Sequence, residues 1–296
     1  MDFGELGREI EKHEPSKEEQ ERILGLSKRE RLIEKCERLN KNLKPIFDGK
    51  KYHCEKCNDS GSYYELEKFE FVLSNGDLYT NECIVAKICE CVKVRESLKS
   101  LENSGMTEKM KRETFESYRT DENWQKVIKE KAIKFLDSEE SCFYIGGYTG
   151  SGKTKICSCI LNKYIERKRA IKYLVWRDFT TDLMENIENS NKLIREAQTI
   201  DVLYIDDLYK FPPRDFEKRV LYSIINYRVN KGLKTIISSE TKLKNSDAKE
   251  QYKYEDMINI DLAVAGRIWE NAGNGEFVIA IANEPKYNMR FKEKKI

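Results

Sequence analysis

No apolar run in this chain approaches the roughly 18 residues needed to cross a bilayer, so the sequence offers no membrane-spanning segment. An excess of charge of one sign is missing too. Formal net charge is only +2, so the totals name no nucleic-acid partner, and any basic surface has to be local. The amino terminus, MDFGELGREIEKHEP, is acidic and polar where a secretory signal needs a positive and then apolar stretch. Internal repeats and low-complexity segments are lacking. The nine cysteines are an odd set without a secretion signal, which argues against a disulfide framework and favours a reducing cytosol with thiols free or on metal. One further lack raises a question. Cys54 and Cys57 form a Cys-x-x-Cys knuckle, half of a tetrahedral metal site, and no second copy of that motif follows.

What is present organises into stages. With 296 residues the chain suits two or three units, and a hydrophobic content of 39% supports at least one sizeable core. Residues 1–50 are charged, with Ile23, Leu24, Leu26, Leu32, Ile33, Leu39 and Leu43 at roughly helical spacing. They read as one or two amphipathic helices, the first strong one opening at Pro15-Ser16, and as a candidate docking region for a partner. Residues 51–93 hold five cysteines and two turn signals, Asn58-Asp59-Ser60-Gly61 and Ser74-Asn75-Gly76-Asp77. FEFVL (69–73) between them reads as a strand and Asn75-Gly76 as a hairpin turn. Residues 94–120 are polar and read as a linker. From 121 to 296 short apolar runs (CFYIG, IKYLVW, VLYID, TIISS, FVIAIA) alternate with helical stretches, the pattern of an α/β domain with a parallel sheet and helices on both faces.

After the strand CFYIG comes GYTGSGKT, which is Gly147, Tyr148, Thr149, Gly150, Ser151, Gly152, Lys153 and Thr154 and fits G-x-x-x-x-G-K-[ST] in full. Glycines let successive backbone N–H groups curl around a polyphosphate, and the following helix aims its positive end at it. Lys153 reaches the terminal phosphates and Thr154 holds magnesium. The run VLYIDDL (202–208) is an apolar strand ending in two carboxylates. Asp206 is placed to hold magnesium and Asp207 to orient or deprotonate the attacking water. ATP is the expected ligand and its hydrolysis the expected reaction. At the end of TIISSE (235–240), Ser239 or Glu240 is the candidate contact for the γ-phosphate or the lytic water. On spacing alone Arg267 in AVAGRIWE reads as a solvated or carboxylate-paired arginine. The segment ERKRAIKYLVWRDF (166–179) interleaves basic and aromatic residues, which suits single-stranded DNA. IKYLVW is also a core strand, however, so burial of its aromatics is the stronger reading. KYNMRFKEKK near the end is a weaker DNA candidate.

The missing half of the metal site is assigned to Cys89 and Cys91. In an extended segment, side chains two apart share a side, so Cys89-Glu90-Cys91 can present two thiolates together. Four cysteines make a closed site, which favours structural zinc over catalysis. His53 would point away from its neighbour Cys54, and Cys83 packs as a small hydrophobe. The remaining cysteines, Cys36, Cys142, Cys157 and Cys159, fall on helices or core strands and are assigned packing roles.

GYTGSGKT, VLYIDDL, TIISSE, Gly266-Arg267-Ile268 and the ending FVIAIANEPKYNMRF together resemble the replicative-helicase loaders of the DnaC/DnaI type, which are AAA+ ATPases of bacteria and phages. The cysteine module CEKCNDSG followed by CEC is similar to the amino-terminal module of the DnaI branch. The likeness covers roughly residues 30–296, and its discriminating feature is the cysteine module joined to an AAA+ core without a separate helical lid. It implies an amino-terminal grip on a hexameric replicative helicase, self-association through the AAA+ domain, contact with single-stranded DNA, and switching by ATP binding and hydrolysis. It also implies that Arg267 is a finger acting on a neighbouring subunit's γ-phosphate. Asp207 stands where many AAA+ proteins have Glu, which implies slow hydrolysis dependent on a partner or DNA. Glu240 stands near the usual sensor Asn. The alternatives are a transposition-accessory ATPase of the IstB type acting on duplex DNA, and a nucleotide-binding adaptor with little hydrolysis.

Overall fold

A computed structural model describes residues 26–48, 53–72, 74, 76–102, 106–244 and 256–290. Pro15-Ser16, Ile23, Leu24 and Asn75 lie outside the described residues. The chain divides into two compact units, Met1–Val92 and Lys93–Ile296. No helix among the described residues is long and apolar enough to cross a membrane.

In the first unit, helix α1 (Lys28–Lys41) starts on a capping box: the Glu30 N–H donates to Ser27 Oγ at 3.3 Å and the Ser27 N–H to Glu30 Oε2 at 2.8 Å. Near its other end, Asn40 does the work of a neighbouring strand. Its side-chain amide donates to the Tyr64 carbonyl at 2.8 Å and accepts from the Tyr64 N–H at 2.7 Å. That fastens α1 to β1 (Ser62–Val72), which pairs antiparallel with β2 (Leu78–Ile88) from Ser62↔Ile88 out to Val72↔Leu78. The strand expected at 69–73 is therefore the outer end of a much longer one. In ELEKFEFV the charges switch from one set of alternate positions (Glu65, Glu67) to the other (Lys68, Glu70) and both faces are largely open to water, so no clean apolar alternation marks its start.

Helix α2 (Cys91–Glu102) carries the chain into the second unit, followed by α3 (Glu108–Lys111) and α4 (Asn123–Leu136). The span read as a linker is partly built into this unit. Met106, Phe115 and Tyr118 are buried in the large apolar core, and the Asn162 side-chain amide donates to the carbonyls of Met110 and Glu113, both at 2.8 Å. The order then runs β3 (Cys142–Gly147), α5 (Lys153–Glu166), β4 (Ile171–Val175), α6 (Trp176–Glu185), α7 (Ile187–Thr199), β5 (Val202–Leu208), α8 (Asp215–Asn230), β6 (Lys234–Ser239), α9 (Met257–Ile260), α10 (Leu262–Glu270) and β7 (Val278–Ile281). The five strands form one parallel sheet in the order β4-β5-β6-β3-β7. This is the expected α/β core, a parallel sheet with helices packed against it. Strands β3 and β6 are almost entirely buried because a parallel sheet is covered on both faces. Cys142, Cys157 and Cys159 are buried in this core, as their packing roles required.

Among the described residues one charged side chain is fully buried in it. The Arg228 guanidinium is fully buried, and donates to Thr235 Oγ1 at 2.9 Å and to the carbonyls of Ala197, Ile200 and Lys234 at 2.9, 2.7 and 2.6 Å. Five fixed N–H donors can be satisfied this way only where chain turns converge, here the end of α7, the start of β5 and the start of β6.

Candidate nucleotide and metal sites

The phosphate loop joins β3 to α5 as the sequence requires. Gly147 has φ of 121°, and a Cβ on it would lie 2.0 Å from the Ile281 carbonyl oxygen, so only glycine lets β7 pass this close. Lys153 curls back across the loop, donating to the carbonyls of Gly147 at 2.7 Å and Tyr148 at 2.8 Å. Burial lowers the ammonium's pKa from its ordinary value, and the nearby Glu240, Asp207 and Asp206 oppose that loss of charge. A cleft of about 520 Å³ opens over the loop, lined by Thr149, Gly150, Ser151, Gly152, Lys153 and Thr154 and, across from them, by Asp207, Lys210 and Glu240.

Asp206 sits beneath this cleft and is only 6% exposed. Its Oδ1 accepts from the Thr154 hydroxyl at 3.4 Å, from the Asp207 N–H at 3.1 Å and from the Ser238 hydroxyl; its Oδ2 accepts from the Tyr173 hydroxyl at 3.1 Å. Thr154 and Asp206 thus come together as a magnesium pair should, and Asp206 is held by two neighbouring strands. Asp207, at φ of 53°, turns the other way and meets Lys210 Nζ at 2.8 Å.

Several groups in the site were not legible in the sequence. Tyr173 and Ser238 reach Asp206 only because β4 and β6 flank β5, and strand order carries no local signal. Met110, Glu113 and Arg119 line the cleft from the span expected to be a linker, and Met289 and Arg290 from the KYNMRF run weighed for DNA contact. The Met289 N–H donates to the Gly150 carbonyl at 2.9 Å, which brings that run to the nucleotide loop.

Three further candidates have definite places: of the pair Ser239 and Glu240 the structure sets one aside, and in 166–179 the core-strand reading holds. Ser239 is fully buried and does not line the cleft; its hydroxyl donates to the Leu208 carbonyl at 2.6 Å and accepts from the Thr241 N–H at 2.9 Å. Its neighbour Glu240 is the residue that lines the cleft. In the 166–179 segment Tyr173, Trp176 and Phe179 are buried, which removes them as a stacking surface. Its basic residues Arg167, Arg169 and Lys172 are paired with Asp137, Asp201 and Glu196 at 2.8, 3.4 and 2.8 Å. Arg267 on α10 lies outside its own chain's nucleotide cleft, donating to the Tyr222 hydroxyl at 2.9 Å with its guanidinium 5.1 Å from that ring's centre.

In the first unit, Cys54, Cys57, Cys89 and Cys91 converge. All four are buried, and their sulfurs lie within 4.8 Å of one another. The Cys54–Cys89 sulfur separation is 3.7 Å and that of Cys57–Cys91 is 3.5 Å. A tetrahedral ion with metal–sulfur bonds of about 2.3 Å sets neighbouring sulfurs about 3.8 Å apart, so the donor set fits zinc. The four thiols share their protons: burial raises the Cys57 thiol, but the Gly61 N–H and the other three sulfurs outweigh it and bring it down to about 7, while burial pushes the Cys89 thiol up. Asp59 braces the knuckle: its Oδ1 accepts from the Cys54 N–H at 2.8 Å, and its Oδ2 is 2.7 Å from His53 Nδ1. His53 therefore faces Asp59 and not the thiols, and Cys83 on β2 stays outside the cluster.

Comparison with known proteins places these features. The family model described as the bacterial DnaA ATPase domain matches residues 110–261. The chain is 27% identical over 198 residues to the uncharacterized protein YqaM of Bacillus subtilis (strain 168), covering 62% of this chain and spanning 60% of that protein's length. It is 25% identical over 239 residues to the phage-like element PBSX protein XkdC of the same organism, covering 75% of this chain and 80% of that one. A crystal structure of DnaI superposes with a TM-score of 0.48 at 18% identity, over 60% of this chain and 95% of that chain. The family match spans just over half of the sequence, from Met110 at the nucleotide cleft to Asp261 at the start of α10. The chain belongs to the family of the bacterial DnaA ATPase domain, on an AAA+ P-loop core.

Proposed function

We propose that this chain is an ATP-dependent loader of a hexameric replicative DNA helicase onto single-stranded DNA. Its amino-terminal region grips the helicase, and its AAA+ domain, self-associated, switches by ATP binding and hydrolysis. The observation that carries the reading is the joining, in one chain, of a closed four-thiol module to an ATPase core of the DnaA family. A structural metal is suited to bracing a binding surface; the phosphate loop supplies the switch.

In this reading Lys153 and the loop N–H groups bind the phosphates, Thr154 and Asp206 would hold magnesium, and Asp206 is aimed by the hydroxyls of Tyr173 and Ser238. Magnesium would supply charge neutralisation on the β- and γ-phosphates. Cys54, Cys57, Cys89 and Cys91 would hold zinc, whose contribution is shape. Arg267, outside its own cleft, is suited to reach a neighbour's nucleotide. The regions are a docking segment at 1–50, a zinc module at 51–93 and an ATPase domain that extends back from 121 to take in 106–118. Hydrolysis is slow and stimulated by helicase or DNA, and the protein acts in the cytosol.

The reading is tested by Lys153→Ala in a reconstituted loading assay. Loading is expected to be lost while helicase binding persists. Loss of helicase binding in that variant would move the grip onto the ATPase domain and contradict the proposal.

A further inference from the structure

Two carboxylates, Asp207 and Glu240, line the cleft beside the phosphate loop, and the chain treats them differently. Asp207 follows the magnesium residue in sequence, but it sits in the left-handed region at φ of 53° and its Oδ2 is held by Lys210 at 2.8 Å. Glu240 is half-buried at the cleft wall, and no hydrogen bond or ion pair engages its carboxylate among the described residues. Its charge acts on Lys153 more strongly than that of Asp207 or Asp206.

The backbone that carries Glu240 is fixed on both sides. Ser239, just before it, pairs with Gly146 on β3 and with Leu208 on β5, so the next residue emerges between the start of the phosphate loop and the end of the acidic strand. The turn is pinned by the Ser239 hydroxyl, which bonds the Leu208 carbonyl and the Thr241 N–H, and by the Tyr144 hydroxyl, which donates to the Thr241 carbonyl at 2.6 Å. The turn also runs directly over Gly146: a Cβ there would lie 2.1 Å from the Thr241 carbonyl oxygen. So much anchoring around one side chain that is left unbonded is the arrangement of a positioned reactive group.

We infer that Glu240, at the tip of β6, is the carboxylate that takes the proton of the attacking water, with Ser239 and Gly146 as its positioning residues and Asp207 held aside by Lys210. The inference rests on the ATPase reading above. In the step, the water oxygen bonds to the γ-phosphorus and the bridging bond to the β-phosphate breaks, its electron pair leaving with ADP. The water proton passes to Glu240 and then to phosphate or solvent. A glutamate reaches one methylene further than an aspartate, so this placement restores from β6 the reach that Asp207 lacks.

The test uses the full-length protein with Mg-ATP and compares Glu240→Gln, Asp207→Asn and Lys153→Ala. General-base loss is expected to lower single-turnover hydrolysis by roughly 100-fold or more in Glu240→Gln, with ATP affinity preserved and the acid limb of the pH–rate profile flattened. Asp207→Asn is expected to lose less than tenfold. Glu240→Asp, which keeps the charge and shortens the reach, is expected to lie between wild type and Glu240→Gln. Turnover within threefold of wild type in Glu240→Gln, or a larger loss in Asp207→Asn than in Glu240→Gln, overturns the assignment while leaving the ATPase reading intact. Absence of any Lys153-dependent turnover in the wild-type protein overturns both.

Discussion

Removing the four-thiol site should unfold one unit and spare the other. The perturbation is Cys54→Ser with Cys57→Ser, which takes two of four ligands from a cluster whose sulfurs all lie within 4.8 Å. Structural zinc contributes about 10–16 kcal/mol of apparent binding free energy in small domains. The apolar side chains packed against this cluster are Tyr63 and Val92, both half-buried. Even fully buried they would contribute only about 1.5–3 kcal/mol each. The metal would therefore exceed the local packing several-fold, and its loss would be as large as the whole stability margin of about 5–15 kcal/mol that a typical domain holds. Hydrogen exchange on the full-length protein reads the result by element. Amides of β1 and β2 should lose protection, while those of β3 and β5, in a unit with its own extensive core, keep theirs. Metal analysis should fall from one zinc per chain to none. Unchanged metal content, or unchanged protection across β1 and β2, would refute the reasoning.

Other outcomes follow from the second unit. Arg267→Ala should lower ATP turnover on the order of 10³-fold without lowering ATP affinity, as loss of a finger does. Mixing it with Lys153→Ala should recover activity, because each variant supplies what the other lacks; turnover unaffected at every protein concentration would place the finger elsewhere. Arg228→Met should cost about 3–5 kcal/mol in urea unfolding, since it strands buried carbonyls at three chain turns; a loss below about 1 kcal/mol would show those carbonyls finding other partners.

The parts of the site that were legible in the sequence are those made by contiguous residues. The phosphate loop needs strand, glycines, Lys153 and helix in one run, and VLYIDDL puts its carboxylates at the tip of a buried strand. The metal site was legible because Cys89-Glu90-Cys91 offers two thiols without repeating the Cys54–Cys57 spacing. What could not be read depends on which strands become neighbours. Asp206 is held by Tyr173 from β4 and Ser238 from β6, and Ser239 turns inward because β6 lies between β3 and β5. The burial of Met106, Phe115 and Tyr118 was hidden for another reason: single apolar residues in a polar stretch carry no period, and only the core they reach reveals them.

The central claim is that the chain is a helicase loader, and association with its native replicative helicase tests it most directly. Purified full-length protein and helicase are mixed with and without ATP, and the mass of the complex and the helicase deposited on single-stranded DNA are measured together. A complex that forms through the amino-terminal region, with deposition that requires ATP, is the predicted result. Failure to bind the helicase, with ATP-dependent polymers forming on duplex DNA instead, would contradict it and assign the chain to transposition-accessory work.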